Sequence, residues 1–263
     1  MTIFSCFSLL LAAMKYLLSP LRLLYKVYFI VIFLISGILL YPFMLFLIRG
    51  KNKYRNALTL KQVWSKVICV LVLIKVQVDN ADGFPKEGPY VVCANHASYL
   101  DILLMFLILP DDFAFLGKAE VLKWPIINVF FLKGVDIPVY RGSVKRAKEC
   151  LGLADLALKE GRSIAIFPEG GMDINNHKLR RFKNGAFKLA IDNQVPLVPI
   201  AFLNNWRLFS DHMDLLGSGS PGIAKIKIHK AIGPDSESYK DVVSLREKTY
   251  STIETALEEY ENR

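Results

Sequence analysis

An uncharged run of 22 residues, Val27 to Ile48 (VYFIVIFLISGILLYPFMLFLI), restricts the folds open to this chain more than any other stretch. At about 1.5 Å per residue, a helix of that length crosses a hydrocarbon core of roughly 30 Å. Gly37 and Pro42 lie inside it, and basic residues flank both ends: Lys15, Arg22 and Lys26 before, Arg49, Lys51, Lys53 and Arg55 after. Two arrangements stay open: one spanning helix, or a helix broken at Pro42 that enters one leaflet and returns as a monotopic anchor. Met1 to Ala13 is apolar without a preceding basic segment or a small-x-small cleavage site, which argues against a cleaved signal, and Met14-Lys15 is an alternative start.

The rest of the 263-residue chain is of another kind. With 53% hydrophobic residues and a mean hydropathy of +0.33 it is too apolar for an ordinary soluble enzyme, while 22% charged residues is too many for a polytopic transporter. Disorder is excluded on the same figures. A membrane anchor over residues 1–60 followed by one α/β domain over residues 61–263 fits both. The balance of 33 basic to 24 acidic residues, +9 with a pI near 9.3, asks for an anionic partner. Cys6, Cys69, Cys93 and Cys150 are widely spaced, with no CxxC pair and no zinc-ligand spacing; they read as small apolar residues in a reducing compartment.

Val63 to Val78 reads as a helix running into a first strand at Ile74 to Val78. Beyond it, short apolar runs alternate with amphipathic stretches, as in βα units. Strands are expected at 90–94, 113–116, 135–139, 163–167, 197–202 and 224–228. Helices are expected at 99–109, 126–131, 144–159, 186–192 and 239–259.

Three constellations fall where expected strands end. Asn95-His96-Ala97-Ser98-Tyr99-Leu100-Asp101 is the first. On one regular helix His96 and Asp101 would point about 140° apart, five residues at about 100° each. They meet only if His96 sits in the turn before the helix, with Ser98 as N-cap and Asp101 at the third helical position. A histidine oriented by a carboxylate is a general base. Ser98-x-x-Asp101 is equally a capping-box variant that needs no catalysis. The second is Phe167-Pro168-Glu169-Gly170-Gly171, whose Glu169 is placed to accept backbone hydrogen bonds and whose glycines let a ligand approach closely. Gly134-Val-Asp136-Ile-Pro-Val-Tyr140-Arg141 is the third, a strand delivering Arg141, a residue suited to bidentate phosphate contact, beside the other two loops. Downstream, Lys178, Arg180, Arg181 and Lys183 form a compact basic cluster for a phosphate or an anionic headgroup. No GxSxG, Walker loop or HExxH occurs, so serine-hydrolase, nucleotide-binding and zinc-peptidase chemistries lose their usual entry points.

Taken in order, NHASYLD at 95–101, GVDIPVYR at 134–141, FPEGG at 167–171 and VPLVPIAF at 195–202 resemble the PlsC family of glycerolipid acyltransferases, whose pattern is NHxxxxD, a strand ending in Arg, FPEGTR and a VPxxP strand. The resemblance covers about Tyr90 to Phe202. It implies a mixed, largely parallel sheet flanked by helices behind the hydrophobic anchor. It also implies acyl transfer from acyl-ACP or acyl-CoA to 1-acylglycerol-3-phosphate, giving phosphatidic acid, with no metal or redox cofactor and no nucleic-acid partner. His96 would then deprotonate the acceptor hydroxyl and Asp101 orient it. Arg141 matches the phosphate-binding arginine, Glu169 and Gly170 match the third motif, and Pro196 and Pro199 match the fourth. Where the family has EGTR this chain has Glu169-Gly170-Gly171-Met172, losing threonine and arginine. Arg180, Arg181 or Lys183 are substitutes for the missing charge; a different acceptor, such as a lyso-ornithine lipid, is the alternative explanation. A non-catalytic lipid-binding protein at the membrane is the rival from another class. The expected location is the cell membrane, with the domain facing the cytoplasm.

Overall fold

A computed structural model describes residues 3–80, 83–140, 142–172, 178–211, 214 and 217–262, with side chains described from residue 19 onward except at 144. Seven strands form one sheet in the order β1-β7-β6-β2-β5-β3-β4. They are β1 (Ile74–Asp79), β2 (Val91–Ala94), β3 (Phe113–Lys118), β4 (Ile137–Val139), β5 (Ser163–Ile166), β6 (Leu197–Phe202) and β7 (Gly222–Ile228). Every neighbouring pair is parallel except β6 with β7. The sheet is thus mixed and largely parallel, and β2, β5 and β6 are almost wholly buried, as strands covered on both faces must be.

One face carries α1 (Ile3–Leu47), α2 (Lys53–Leu71) and α3 (Leu100–Ile108); the other carries α5 (Val144–Lys159), α6 (Gly185–Asn193) and α8 (Val242–Glu261). Two short helices, α4 (Asn128–Leu132) and α7 (Asn205–Leu208), complete the set. Most expected elements lie within two residues of these bounds. The last helix starts later than expected: residues 237–240 form a separate 3-10 turn, and Asp241 caps α8 by accepting from Val243 N and Ser244 N at 2.8 and 2.9 Å. Gly217 to Gly222 have GxGxxG spacing, but they lead into β7 and open no helix, so the helix end that holds a pyrophosphate is missing.

The long apolar run is continuous helix through Pro42, and Ser19–Leu47 is long and apolar enough to cross a membrane. It also packs along the protein. Tyr25 Oη donates to Val72 O and Tyr28 Oη to Leu71 O, both at 2.8 Å. Trp64 Nε1 donates to Ser36 Oγ at 2.9 Å, and Phe29 lies against Phe209 with ring centroids 4.2 Å apart. Gly37 lets α1 approach closely: a Cβ there would stand 2.9 Å from Ile126 Cγ2 and 3.0 Å from Trp64 Cζ2. Lys26, buried in this apolar helix, gives its ammonium to Ser210 Oγ at 2.6 Å, to Asp211 O at 3.1 Å and to Asp214 O. α2 runs unbroken through residue 60, with Leu60 and Lys61 both buried. The Lys61 ammonium meets both oxygens of Asp136 at 2.7 and 2.8 Å, with the rings of Phe106, Phe113 and Phe130 about it. Asp136 also accepts from Phe115 N at 2.9 Å, so this carboxylate of the third constellation joins α2 to the sheet.

Candidate active site

The site is built where β2, β5 and β6 end side by side. β2 lies between β5 and β6, parallel to both, so the segments after Ala94, Ile166 and Phe202 leave the same sheet edge. Asn95 fixes two of them together: its Nδ2 donates to Phe202 O at 3.0 Å and its Oδ1 accepts from Phe202 N at 2.8 Å. The chain can then turn sharply at His96 without loosening β2.

His96 lies in the turn, and α3 begins at Leu100, which makes Asp101 the second helical residue instead of the third. His96 Nδ1 and Asp101 Oδ2 are 3.0 Å apart. The same Oδ2 accepts from Ala97 N and Ser98 N, each at 2.9 Å, and Ser98 Oγ accepts from Leu100 N at 3.0 Å while donating to Phe209 O at 2.5 Å. Tyr99 and not Ser98 is the N-cap residue of α3, yet the Ser98 hydroxyl and the Asp101 carboxylate still satisfy N–H groups of the turn while Asp101 holds His96. An oxygen already accepting two backbone N–H groups is a carboxylate acceptor, so Nδ1 carries the ring proton and Nε2 is the free basic nitrogen. The imidazole stacks on Phe167, centroids 3.9 Å apart and planes within 5°, and its side chain is 11% exposed against 0% for Asp101. Ring plane and tautomer are both fixed, and one edge meets solvent.

Glu169 closes the other side. Its Oε1 accepts from His96 N at 2.7 Å and its Oε2 from Arg180 N at 2.9 Å, which ties the histidine turn to the basic segment. Burial raises its carboxyl to about 7, against the two backbone donors that favour the anion. Gly170 and Gly171 have φ of 72° and 153°, conformations that side chains disfavour. A Cβ on Gly170 would lie 2.5 Å from Lys183 Nζ, so the bare glycine is what lets the lysine stem cross the loop. Lys183 N donates to Pro168 O at 2.8 Å, and Arg180 Nη1 reaches Gly171 O at 3.5 Å. Both side chains are exposed beside the loop.

His96, Asp101, Glu169, Gly170, Gly171 and Lys183 are thus brought together. Arg141 lies outside the described residues. Strand β4, which leads to it, is separated from β5 by β3, so this constellation is one strand removed from the other two, not beside them. No group of three or more His, Cys, Asp or Glu able to hold a metal occurs among the described residues. The sequence reading missed Asn205, whose Nδ2 donates to Asp101 Oδ1 at 2.7 Å. Asn95 and Phe167, both within the motifs, take roles that only the fold shows: one fixes the strand ends and the other the imidazole plane.

A histidine–aspartate pair in the turn after β2, opposite a glutamate-held glycine loop after β5, defines a class, and the sequence profile of the acyltransferase family matches residues 75–203, from β1 to the end of β6. Over those residues the chain carries this family's sequence pattern. It is similar to a chloroplastic 1-acyl-sn-glycerol-3-phosphate acyltransferase of Brassica napus, 28% identical over 210 residues that make up 77% of this chain and 56% of that one. The 1-acyl-sn-glycerol-3-phosphate acyltransferase of Borreliella burgdorferi is 29% identical over 144 residues, 55% of this chain and 57% of its own. The crystal structure of the 1-acyl-sn-glycerophosphate acyltransferase PlsC from Thermotoga maritima superposes with a TM-score of 0.77 at 25% identity, covering 92% of this chain and 97% of that one. This chain spans little more than half the length of those first two relatives.

Proposed function

We propose that the protein transfers a fatty acyl group from an acyl thioester, acyl-ACP or acyl-CoA, to the free hydroxyl of 1-acylglycerol-3-phosphate, forming phosphatidic acid. The single observation that carries the reading is the pairing of His96 Nδ1 with the buried Asp101 carboxylate at 3.0 Å, which leaves Nε2 as the free basic nitrogen of a ring 11% exposed. His96 Nε2 takes the hydroxyl proton as the oxygen attacks the thioester carbonyl. The new C–O bond forms, the C–S bond breaks, and the departing thiolate takes the proton back from the imidazolium that Asp101 has stabilised. A positioned base supplies about 10² to 10⁴ in rate. The thioester is already activated, so no metal or redox cofactor is called for. Lys183 and Arg180, brought to the loop by Gly170 and Glu169, hold the acceptor phosphate in place of the arginine absent from Gly171-Met172. Relatives that keep the glycerophosphate acceptor by name favour this over an amino-acid lipid.

The same reading places the protein on a membrane, with the thioester arriving from the cytoplasmic side. α1 is packed on the protein along one face, while Leu24, Ile38, Leu39, Phe43 and Phe46 are exposed on the other. That division favours lying in one leaflet over crossing both. The test is to supply purified protein with an acyl thioester and lysophosphatidic acid and to measure thiol release and lipid product by mass spectrometry, beside His96→Ala. Phosphatidic acid from the wild type alone is the expected result. Thiol release that does not depend on His96, or transfer only to a different lysolipid, would overturn the mechanism or the acceptor respectively.

A further inference from the structure

Two asparagines follow β6, and they do different work. Asn204 ties the end of β6 to β7: its Nδ2 donates to Ile223 O at 2.9 Å and its Oδ1 accepts from Lys225 N at 2.8 Å. Asn205, 1% exposed and 104 residues from its partner, sends its Nδ2 to Asp101 Oδ1 at 2.7 Å. Its own Oδ1 is buried with no hydrogen-bond partner, so the side chain is held for the donor alone. The amide orientation is forced, because the flipped form would set oxygen against the carboxylate.

We propose that Asn205 is a positioning residue for acyl transfer, acting through Asp101; the assignment rests on the reading of His96 as the base. Asp101 Oδ2 has three donors, whereas Oδ1 depends on Asn205. Without it a buried carboxylate oxygen is left bare, and the carboxylate is held on one side only, by the donors at Oδ2. The chemistry of the donor matters. A lysine or arginine here would neutralise the charge that the imidazolium needs, and a carboxylate would repel Asp101. A neutral amide fixes the carboxylate and leaves its charge intact. Asp101 and, through it, His96 face this amide, with Glu169 across the turn.

The experiment compares wild type, His96→Ala, Asn205→Leu, Asn205→Asp and the structural control Asn204→Ala in detergent. Asn205→Leu keeps the shape and removes the donor. It is expected to lower kcat about tenfold or more, part of what a positioned base supplies, with both KM values within about twofold of wild type. The carboxyl introduced in Asn205→Asp donates only while protonated, so its kcat relative to wild type rises as pH falls; a merely structural residue gives a constant ratio. With 15N-labelled histidine, the Nδ1–H resonance that His96→Ala removes is expected to persist in Asn204→Ala and to broaden or vanish in Asn205→Leu. This second readout needs no turnover, so wild-type protein that fails to acylate lysophosphatidic acid defeats the functional reading alone and leaves the positioning role to the resonance. An unchanged resonance in Asn205→Leu, or equal kcat losses in Asn204→Ala and Asn205→Leu with a pH-independent Asn205→Asp ratio, would overturn it.

Discussion

Glu169 is a buried carboxyl whose two oxygens face two backbone N–H groups, and its titration has a sign that can be worked out. Burial lifts it to about 7, while in the unfolded chain it releases its proton near ~4.3. The folded chain therefore binds more protons between those values, and the stability this group contributes declines as pH rises through that window, becoming level above about 7. Across this range wild type should lose stability relative to Glu169→Gln as pH rises, and parallel curves would contradict the assignment. The glutamine also turns an N–H toward His96 N or Arg180 N, so acyl transfer should fall at every pH. Lys183 is the second residue-scale case. Lys183→Met keeps the stem over Gly170 and removes the ammonium, so the KM for lysophosphatidic acid should rise about tenfold, in the range of one charge-assisted hydrogen bond, with the thioester KM unchanged. An equal rise in both would remove Lys183 from phosphate recognition.

Among the elements, α1 is held by contacts its apolar composition hides. Gly37→Leu drives a side chain into Ile126 and Trp64, and overpacking of this kind costs about 1–3 kcal/mol, to be measured as a lower Tm in detergent. Lys26→Met should also destabilise, because Ser210 and the carbonyls of Asp211 and Asp214 lose a charged donor; an unchanged Tm would mean the helix is held by its apolar face alone. The strands were legible in the sequence because a sheet covered on both faces demands continuous apolar runs such as Leu197–Phe202. The four-residue α7 was not, being too short for a periodicity. The place of His96 in the turn was legible, because a five-residue spacing lets it meet Asp101 only there, but the spacing alone did not separate the pair from a helix cap. The sequence marks Glu169 as a backbone acceptor but does not show its two partners, 73 residues before it and 11 after, nor Asn205.

At the scale of the whole molecule, the anchor side and the catalytic side are not separate bodies. Lys61 on α2 and Asp136 on the far side of β3 form a pair with 1% and 3% side-chain exposure inside a ring of phenylalanines. Lys61→Met leaves Asp136 charged and buried, at a cost of about 3–5 kcal/mol, and adding Asp136→Asn should return part of it; denaturant unfolding of the single and double variants decides. The Lys26 clasp has a consequence in time. Its acceptors lie 184 or more residues further along the chain. The ribosome therefore releases α1 long before it makes the loop that satisfies this ammonium. Until those residues are made the first helix lacks the acceptors for its buried ammonium, and it can close onto its own domain only after them.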